Sequence, residues 1–342
     1  MENQNKKIDP VKSGNAGFSG EEKFNRVEIP VELANYKGIT IKKNKSSVEK
    51  GEVDKSLDYL QKSRAKIITV KRSAQKGNRV EIDFEVKQGG VKIENGTSRN
   101  HPVILGDNRF LPGFENQLEG MSAGDEKEFS LKVPENWPDK RVADKNLDCK
   151  VKMNLVQERI IPELNDEFAK SLGNFDSLES LGKNISEGLL EEKELKEKQR
   201  MQMELIEKIA NASKIEVPPA LIDEELERMV AEFKFSISSF GLDFETYLKE
   251  IKKTIDELKK EWRKQAENRV RIAVCLKAIA AKENIEVSDE EIDKKINEEL
   301  KNYPDIDEAK KDIDLKTLKE YTKEVLRNEK VLGLLIKEAK II

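Results

Sequence analysis

The chain has 342 residues but only one histidine, His101, and two cysteines, Cys149 and Cys275. A single histidine excludes a metal centre built from several imidazoles and any triad that needs a second one. The cysteines lie far apart and fit no CxxC or Cys/His ligand spacing, which fits a reducing compartment better than a disulfide framework. Aromatic residues make up 6% of the chain, too few for one large aromatic-rich core. No uncharged apolar run is long enough to span a bilayer. The N-terminal stretch MENQNKKIDPVKSGNAGFSGEEK carries lysines without the apolar segment of a secretory signal. No GxGxxG or P-loop is present. These absences predict a cytoplasmic chain with no membrane contact, no metal and no cofactor.

What the chain has in abundance is charge, at 38% of residues. Lys and Arg number 63 against 67 Asp and Glu, and the two signs are interleaved, so no basic stripe is left to follow a phosphate backbone. Nucleic acid is not an expected partner. Acidic pairs fall on solvated helix faces, and nothing places two carboxylates around a cleft. The length allows two or three domains, each able to bury a core.

The most informative stretch is VILGDNRFLPGFENQLEGMSAGDEKEF, residues 103–129, which gathers Phe110, Leu111 and Phe114 around a Pro-Gly turn. Upstream, residues 1–23 are polar and read as a disordered tail. Residues 24–76 follow as extended connecting strands and a helix, expected to pack toward the C-terminal domain. Val27, Ile29, Val31 and Leu33, then Ile39 and Ile41, alternate around a Tyr36-Lys37-Gly38 turn. Ser47 precedes an amphipathic helix through about Arg64, and a strand runs from Lys66 to Lys71. Residues 77–161 form the next region. Strict alternation in RVEIDFEV, residues 79–86, marks a half-buried antiparallel strand, and Gly89-Gly90 a hairpin. Val91 and Ile93, a polar loop 95–100, a short helix near Phe114 to Leu118, and strands near 126–133 and 147–156 complete a curved sheet wrapped on one helix. His101 reads as a loop residue beside Pro102.

From Pro162 the apolar spacing changes from two to three or four, so residues 162–342 read as helical. Helices are predicted over 177–213, 220–239, 243–252, 254–283, 288–301 and 314–339, with Asp243 and Ser288 as caps. Val217-Pro218-Pro219 breaks the first from the second. The charged stretch 187–200 has too few apolar residues for a core on all sides, and it reads either as a solvated-faced helix that gives an arm its reach or as ordinary charged surface. Phe233, Phe235, Ile237, Phe240, Leu242 and Phe244 crowd one inter-helix turn. Such a cluster serves either ordinary packing or, where exposed, the capture of apolar segments, and spacing alone leaves both open.

The series IDFEV, ILGDNRFLPGFENQLEGMSAGDEKEF, VPENW and VADKNLDCKV resembles the FK506-binding-protein (FKBP) fold of peptidyl-prolyl isomerases, in the form carried by bacterial trigger factor. QERIIPELNDEFAKSLG, at 157–173, and KIEVPPALIDEELERM, at 214–229, are similar to the exit from that family's isomerase domain and to its helical C-terminal domain. The resemblance runs from about Phe24 to the C-terminus. It implies an α+β chain, with a small antiparallel FKBP-like domain at 77–161 and a helical chaperone domain with arms at 162–342. It also implies unfolded or nascent polypeptide as client, and a homodimer is compatible with it. The family's N-terminal ribosome-docking domain has no counterpart before Phe24, so ribosome docking is not expected.

By position, the resemblance makes Phe84 the strand aromatic of a proline pocket, Ile93 an apolar wall, Leu111 a backbone donor, Phe114 the floor and Trp137 the late aromatic. Phe110 joins them as a peptide contact, and Phe235 and Phe240 are candidate client contacts. Phe84 and Ile93 read equally well as core of the small sheet. Two positions depart from the pattern. Glu94 stands where many isomerases of this fold carry Asp, and Cys149 where they commonly carry an aromatic, which predicts a pocket widened on that side and weak catalysis.

Overall fold

The computed structural model describes residues 29–137, 141–301 and 314–342, the side chains of residues 94 and 95 excepted. The predicted tail 1–23 lies outside them. In chain order the described elements are β1 (Val31–Glu32), β2 (Thr40–Ile41), α1 (Lys50–Ser63), β3 (Lys66–Thr69), β4 (Arg79–Gln88), β5 (Val91–Ile104), α2 (Phe114–Leu118), β6 (Glu126–Lys132) and β7 (Asn146–Ile160). Then follow α3 (Asp166–Leu172), α4 (Leu178–Ala212), β8 (Lys214–Ile215), α5 (Pro219–Ser239), α6 (Phe244–Glu250), α7 (Ile255–Lys282), α8 (Asp289–Leu300), α9 (Leu315–Glu338) and β9 (Lys340–Ile341). The chain divides into two units, one of residues 47–191 and one combining 1–46 with 192–342.

The first unit is built on a five-stranded sheet of order β3-β7-β4-β5, with β6 also paired to β7. Alternation in β4 buries Val80, Ile82 and Val86 and half-buries Phe84. On β7 it buries Leu147, Cys149, Val151 and Met153. Register sets Ile82 opposite Met153, Phe84 opposite Val151 and Val86 opposite Cys149, which concentrates the apolar groups on one face. Leu118 and Phe114 of α2 close that face. At the hairpin Gly89 and Gly90 have φ of 54° and 86°, the left-handed pair that a two-residue turn matching strand twist requires.

Two local predictions change. The loop expected at 95–100 is strand, because β5 continues from Val91 to Ile104 across two register shifts against β4. Those bulges hide the alternation on which the sequence reading depends. Ser47 does not cap α1; Glu49 does, in a reciprocal capping box with Glu52. Leu57 and Leu60 of α1 then pack with Phe168 of α3 and Leu181 of α4 in a separate small core.

In the second unit Leu205, Ile206 and Ile209 of α4 share a core with Val270, Val274 and Ile279 of α7 and Val331 and Leu335 of α9. The segment 29–46 is sewn into this unit. β1 pairs antiparallel with β8, and β2 pairs parallel with β9. Tyr36 and Ile41 are buried in the same core, and Tyr36 Oη donates to Glu283 Oε1 at 2.7 Å. Glu197 is buried within an otherwise exposed run of α4, where it accepts from the Asn44 backbone N–H at 2.6 Å and pairs with Arg200. Asp243, Thr254 and Ser288 cap α6, α7 and α8.

Candidate functional site: an apolar pocket on the sheet

The pocket begins with a turn. Leu111-Pro112-Gly113-Phe114 closes with the Phe114 N–H donating to Leu111 O at 2.9 Å. Proline presets the first corner of a type II turn, and Gly113, at φ 84° and ψ −10°, takes the left-handed second corner. That turn starts α2 and drives the Phe114 ring beneath the sheet, where it is 1% exposed.

Above Phe114 lies a cavity of about 410 Å³ lined by Phe84, Val86, Gln88, Ile93, Gly96, Phe110, Leu111, Phe114, Trp137, Arg141, Val142 and Leu147. Phe110 stacks on Phe114 with centroids 4.9 Å apart and planes at 15°. Phe84 meets both rings edge-on, at 5.7 Å and 6.2 Å, and Phe129 meets Phe114 from the other side at 5.6 Å. Trp137 follows the Val133-Pro134 corner, its N–H donating to Pro134 O at 3.1 Å. Within the described residues the Leu111 backbone N–H makes no hydrogen bond, so the pocket wall offers a donor.

Six residues singled out from sequence therefore line one cavity: Phe84, Ile93, Phe110, Leu111, Phe114 and Trp137. Cys149 does not line it. It is 1% exposed in the sheet core, flanked by Val86 and Phe129, and burial pushes its thiol up to about 11. The Glu94 side chain lies outside the described residues. His101 is a β5 residue rather than a loop one, with its ring edge-on to Phe84 and Phe110 at 5.5 Å and 5.3 Å.

The crowded turn in the second unit separates into two sets. Phe233, Ile237 and Phe244 pack together, with Phe233 edge-on to Phe244, Tyr247 and Trp262. Phe240, Leu242 and Phe235 stay outside, 77%, 53% and 39% exposed. The packing reading thus describes Phe233, Ile237 and Phe244, while Phe235, Phe240 and Leu242 are left exposed to solvent.

Sequence reasoning missed Glu115, Val86, Gly96, Val142 and Leu147. The alternation of β4 and β7 could have nominated Val86 and Leu147. No pattern marks Glu115, which is 4% exposed and accepts backbone N–H groups from Gly106, Asn108 and Arg109 at 2.7, 3.0 and 2.9 Å. Among the described residues no group of His, Cys, Asp and Glu could hold a metal ion, and no helix is long and apolar enough to cross a membrane.

Residues 70–158 match the family of FKBP-type peptidyl-prolyl cis-trans isomerases, and residues 177–337 the C-terminus of bacterial trigger factor protein. The trigger factor of Caldicellulosiruptor saccharolyticus is 34% identical over 311 residues, 91% of this chain and 71% of that protein. The chain belongs to the trigger factor family. The trigger factor of Agathobacter rectalis is 37% identical over 278 residues, covering 81% of this chain and 63% of its own length. A solved trigger factor chaperone, described for promiscuous substrate recognition in folding and assembly, shares the fold at TM-score 0.51 and 24% identity. That likeness covers 91% of this chain and 73% of the solved one. The pocket thus sits in the FKBP-type part of a trigger factor chaperone.

Proposed function

We propose that this trigger factor family member accelerates cis–trans isomerisation of X-Pro bonds in the unfolded polypeptides it binds, in the cytoplasm, using the pocket above Phe114. The supporting observation is the aromatic-walled cavity of about 410 Å³ with an unbonded Leu111 N–H at its edge.

Rotation about an X-Pro amide crosses a barrier of roughly 18–20 kcal/mol because conjugation is lost midway, and no covalent bond breaks. Neither a nucleophile nor a metal is required. The twisted amide has less charge separation than the planar one, so an apolar enclosure stabilises it relative to water. Phe84, Phe110, Phe114 and Trp137 can grip the proline ring while the chain on the other side of the amide turns. The Leu111 N–H can hold a peptide carbonyl and fix the orientation.

A second reading keeps the FKBP-type unit as a peptide-binding module on a holdase chaperone. The exposure of Phe240 and Leu242 favours it, since apolar side chains left in water are a means of holding unfolded segments. Proline-limited refolding with wild type and Phe114→Ala, alongside aggregation suppression on the same samples, separates the two. The isomerase reading expects acceleration that Phe114→Ala abolishes while suppression persists. No acceleration by wild type, with suppression retained, establishes the holdase reading instead.

A further inference from the structure

The loop that delivers Phe110 and Leu111 to the pocket has an unusual centre. Gly106 and Asn108 both lie in the left-handed region, at φ 96° and 51°. Alternating conformations of this kind turn successive backbone N–H groups inward around one point, a concavity suited to an anion. Here the anion is the chain's own. Glu115 Oε2 accepts from Gly106 and Asn108, and Oε1 accepts from Arg109 at 2.9 Å and from Phe110 at 3.5 Å. The loop is also moored where it leaves β5, with the Gly77 N–H donating to Leu105 O at 2.7 Å and the Leu105 N–H to Asn78 O at 3.0 Å.

We infer that Glu115 is a positioning residue of the pocket, its carboxylate fixing the loop 106–110 so that Phe110 stacks on Phe114 and the Leu111 N–H faces the cavity. Glu115 follows Phe114 directly on α2. One turn of helix therefore supplies the floor through one side chain and ties the opposite wall through the next. Neutral or shortened side chains cannot reproduce this. A glutamine amide presents an NH2 group to at least one backbone N–H, leaving donors facing donors, and an aspartate carboxylate falls one methylene short. Loop disorder would release Phe110 from Phe114 and swing the Leu111 donor away, and small displacements of positioning groups have large effects on rate.

This inference rests on the isomerase reading for its rate prediction but can be tested without it. The full chain, Glu115→Gln and Glu115→Asp are compared by prolyl-peptide isomerisation and amide hydrogen exchange. Pocket affinity for a short proline-containing peptide is followed by NMR on the Trp137 indole. Glu115→Gln is expected to free the amides of Gly106, Asn108 and Arg109 to exchange while those of β4 and β7 stay protected. Its kcat should fall on the order of tenfold to a hundredfold with KM changed by less than about threefold, and Glu115→Asp should recover part of the loss. If Glu115→Gln frees the loop amides yet keeps kcat and peptide affinity within about twofold of wild type, the positioning role is overturned. If Glu115→Gln unfolds the sheet, Glu115→Asp carries the same comparison. Should wild type show no isomerisation, the functional reading fails but the inference still stands or falls on affinity. A loss of about tenfold in Glu115→Gln supports it, and an unchanged value overturns it.

Discussion

Phe110 lies flat on Phe114, centroids 4.9 Å apart and planes at 15°, while three other rings, Phe84, His101 and Phe129, brace the pair edge-on. Only Phe114 is held by its own helix, whereas Phe110 is held by loop and stacking. Replacing Phe110 by Leu keeps an apolar side chain and removes the stack, so about 0.5–1.5 kcal/mol of pair energy should be lost with little change in buried area. Urea unfolding should register that loss. Isomerisation should suffer more than stability, because the proline loses a flat wall. An unchanged rate would make Phe110 a core residue that happens to touch the cavity.

The opposite wall rests on a glycine. A Cβ built on Gly96 would overlap Ile93 Cγ1 and come within 3.0 Å of both Ile93 O and Val86 O. Val86 is held by its pairing with Cys149 of β7, and the side-chain atom Ile93 Cγ1 makes the tightest overlap, so the Ile93 side chain is the group that must yield, and it lines the cavity. Gly96→Ala should therefore cost about 1–3 kcal/mol of stability as overpacking and lower prolyl-peptide affinity together. Crystallography or peptide titration with wild-type occupancy of the pocket would contradict that coupling.

Much of this was legible in the residues. Alternation gave β4 and the inner face of β7, Pro112-Gly113 gave the turn before α2, and the three-and-four spacing gave the long helices to within a few residues. What escaped has a common physical basis. β5 runs through residues 95–100 on polar, bulged backbone whose pairing comes from β4, so its own alternation is broken. The parallel pairing of β2 with β9 joins residues three hundred positions apart through two residues on each side, and no local preference encodes it. Glu115 is invisible because its partners are backbone N–H groups, which every sequence supplies. The α3 helix did carry signals that were passed over, with Asn165 capping the Phe168 N–H and two acids in the first turn.

Client capture should map to the exposed apolar set at the end of α5. Phe240 and Leu242 contribute little to the core, so Phe240→Asp with Leu242→Asp should leave stability within about 0.5 kcal/mol. Aggregation suppression should fall several-fold by the same token, since apolar contact area would be replaced by charge. Isomerisation of a short prolyl peptide should be untouched. Suppression equal to wild type would place client contacts elsewhere.

Acid should loosen the segment 29–46 through Glu197. Hydrogen bonds from Arg200 first, and then from the Asn44 backbone, hold the Glu197 carboxyl down at about 2 against an ordinary 4.5. Between those two values the unfolded chain binds the proton and the folded chain does not, so the stability this group contributes is complete above pH 4.5 and drains away as the pH falls towards 2. Glu197→Gln lacks that dependence. The two proteins should differ most at neutral pH, converge through the acid window and become equally stable near its lower end, read as the difference between their urea midpoints. Other paired carboxylates, Glu85 and Glu283 among them, are also held below their ordinary value by their partners, and their contributions cancel in that difference. A gap that stays constant from pH 7 down to the bottom of the window would show that Glu197 holds Asn44 no more tightly ionised than neutral.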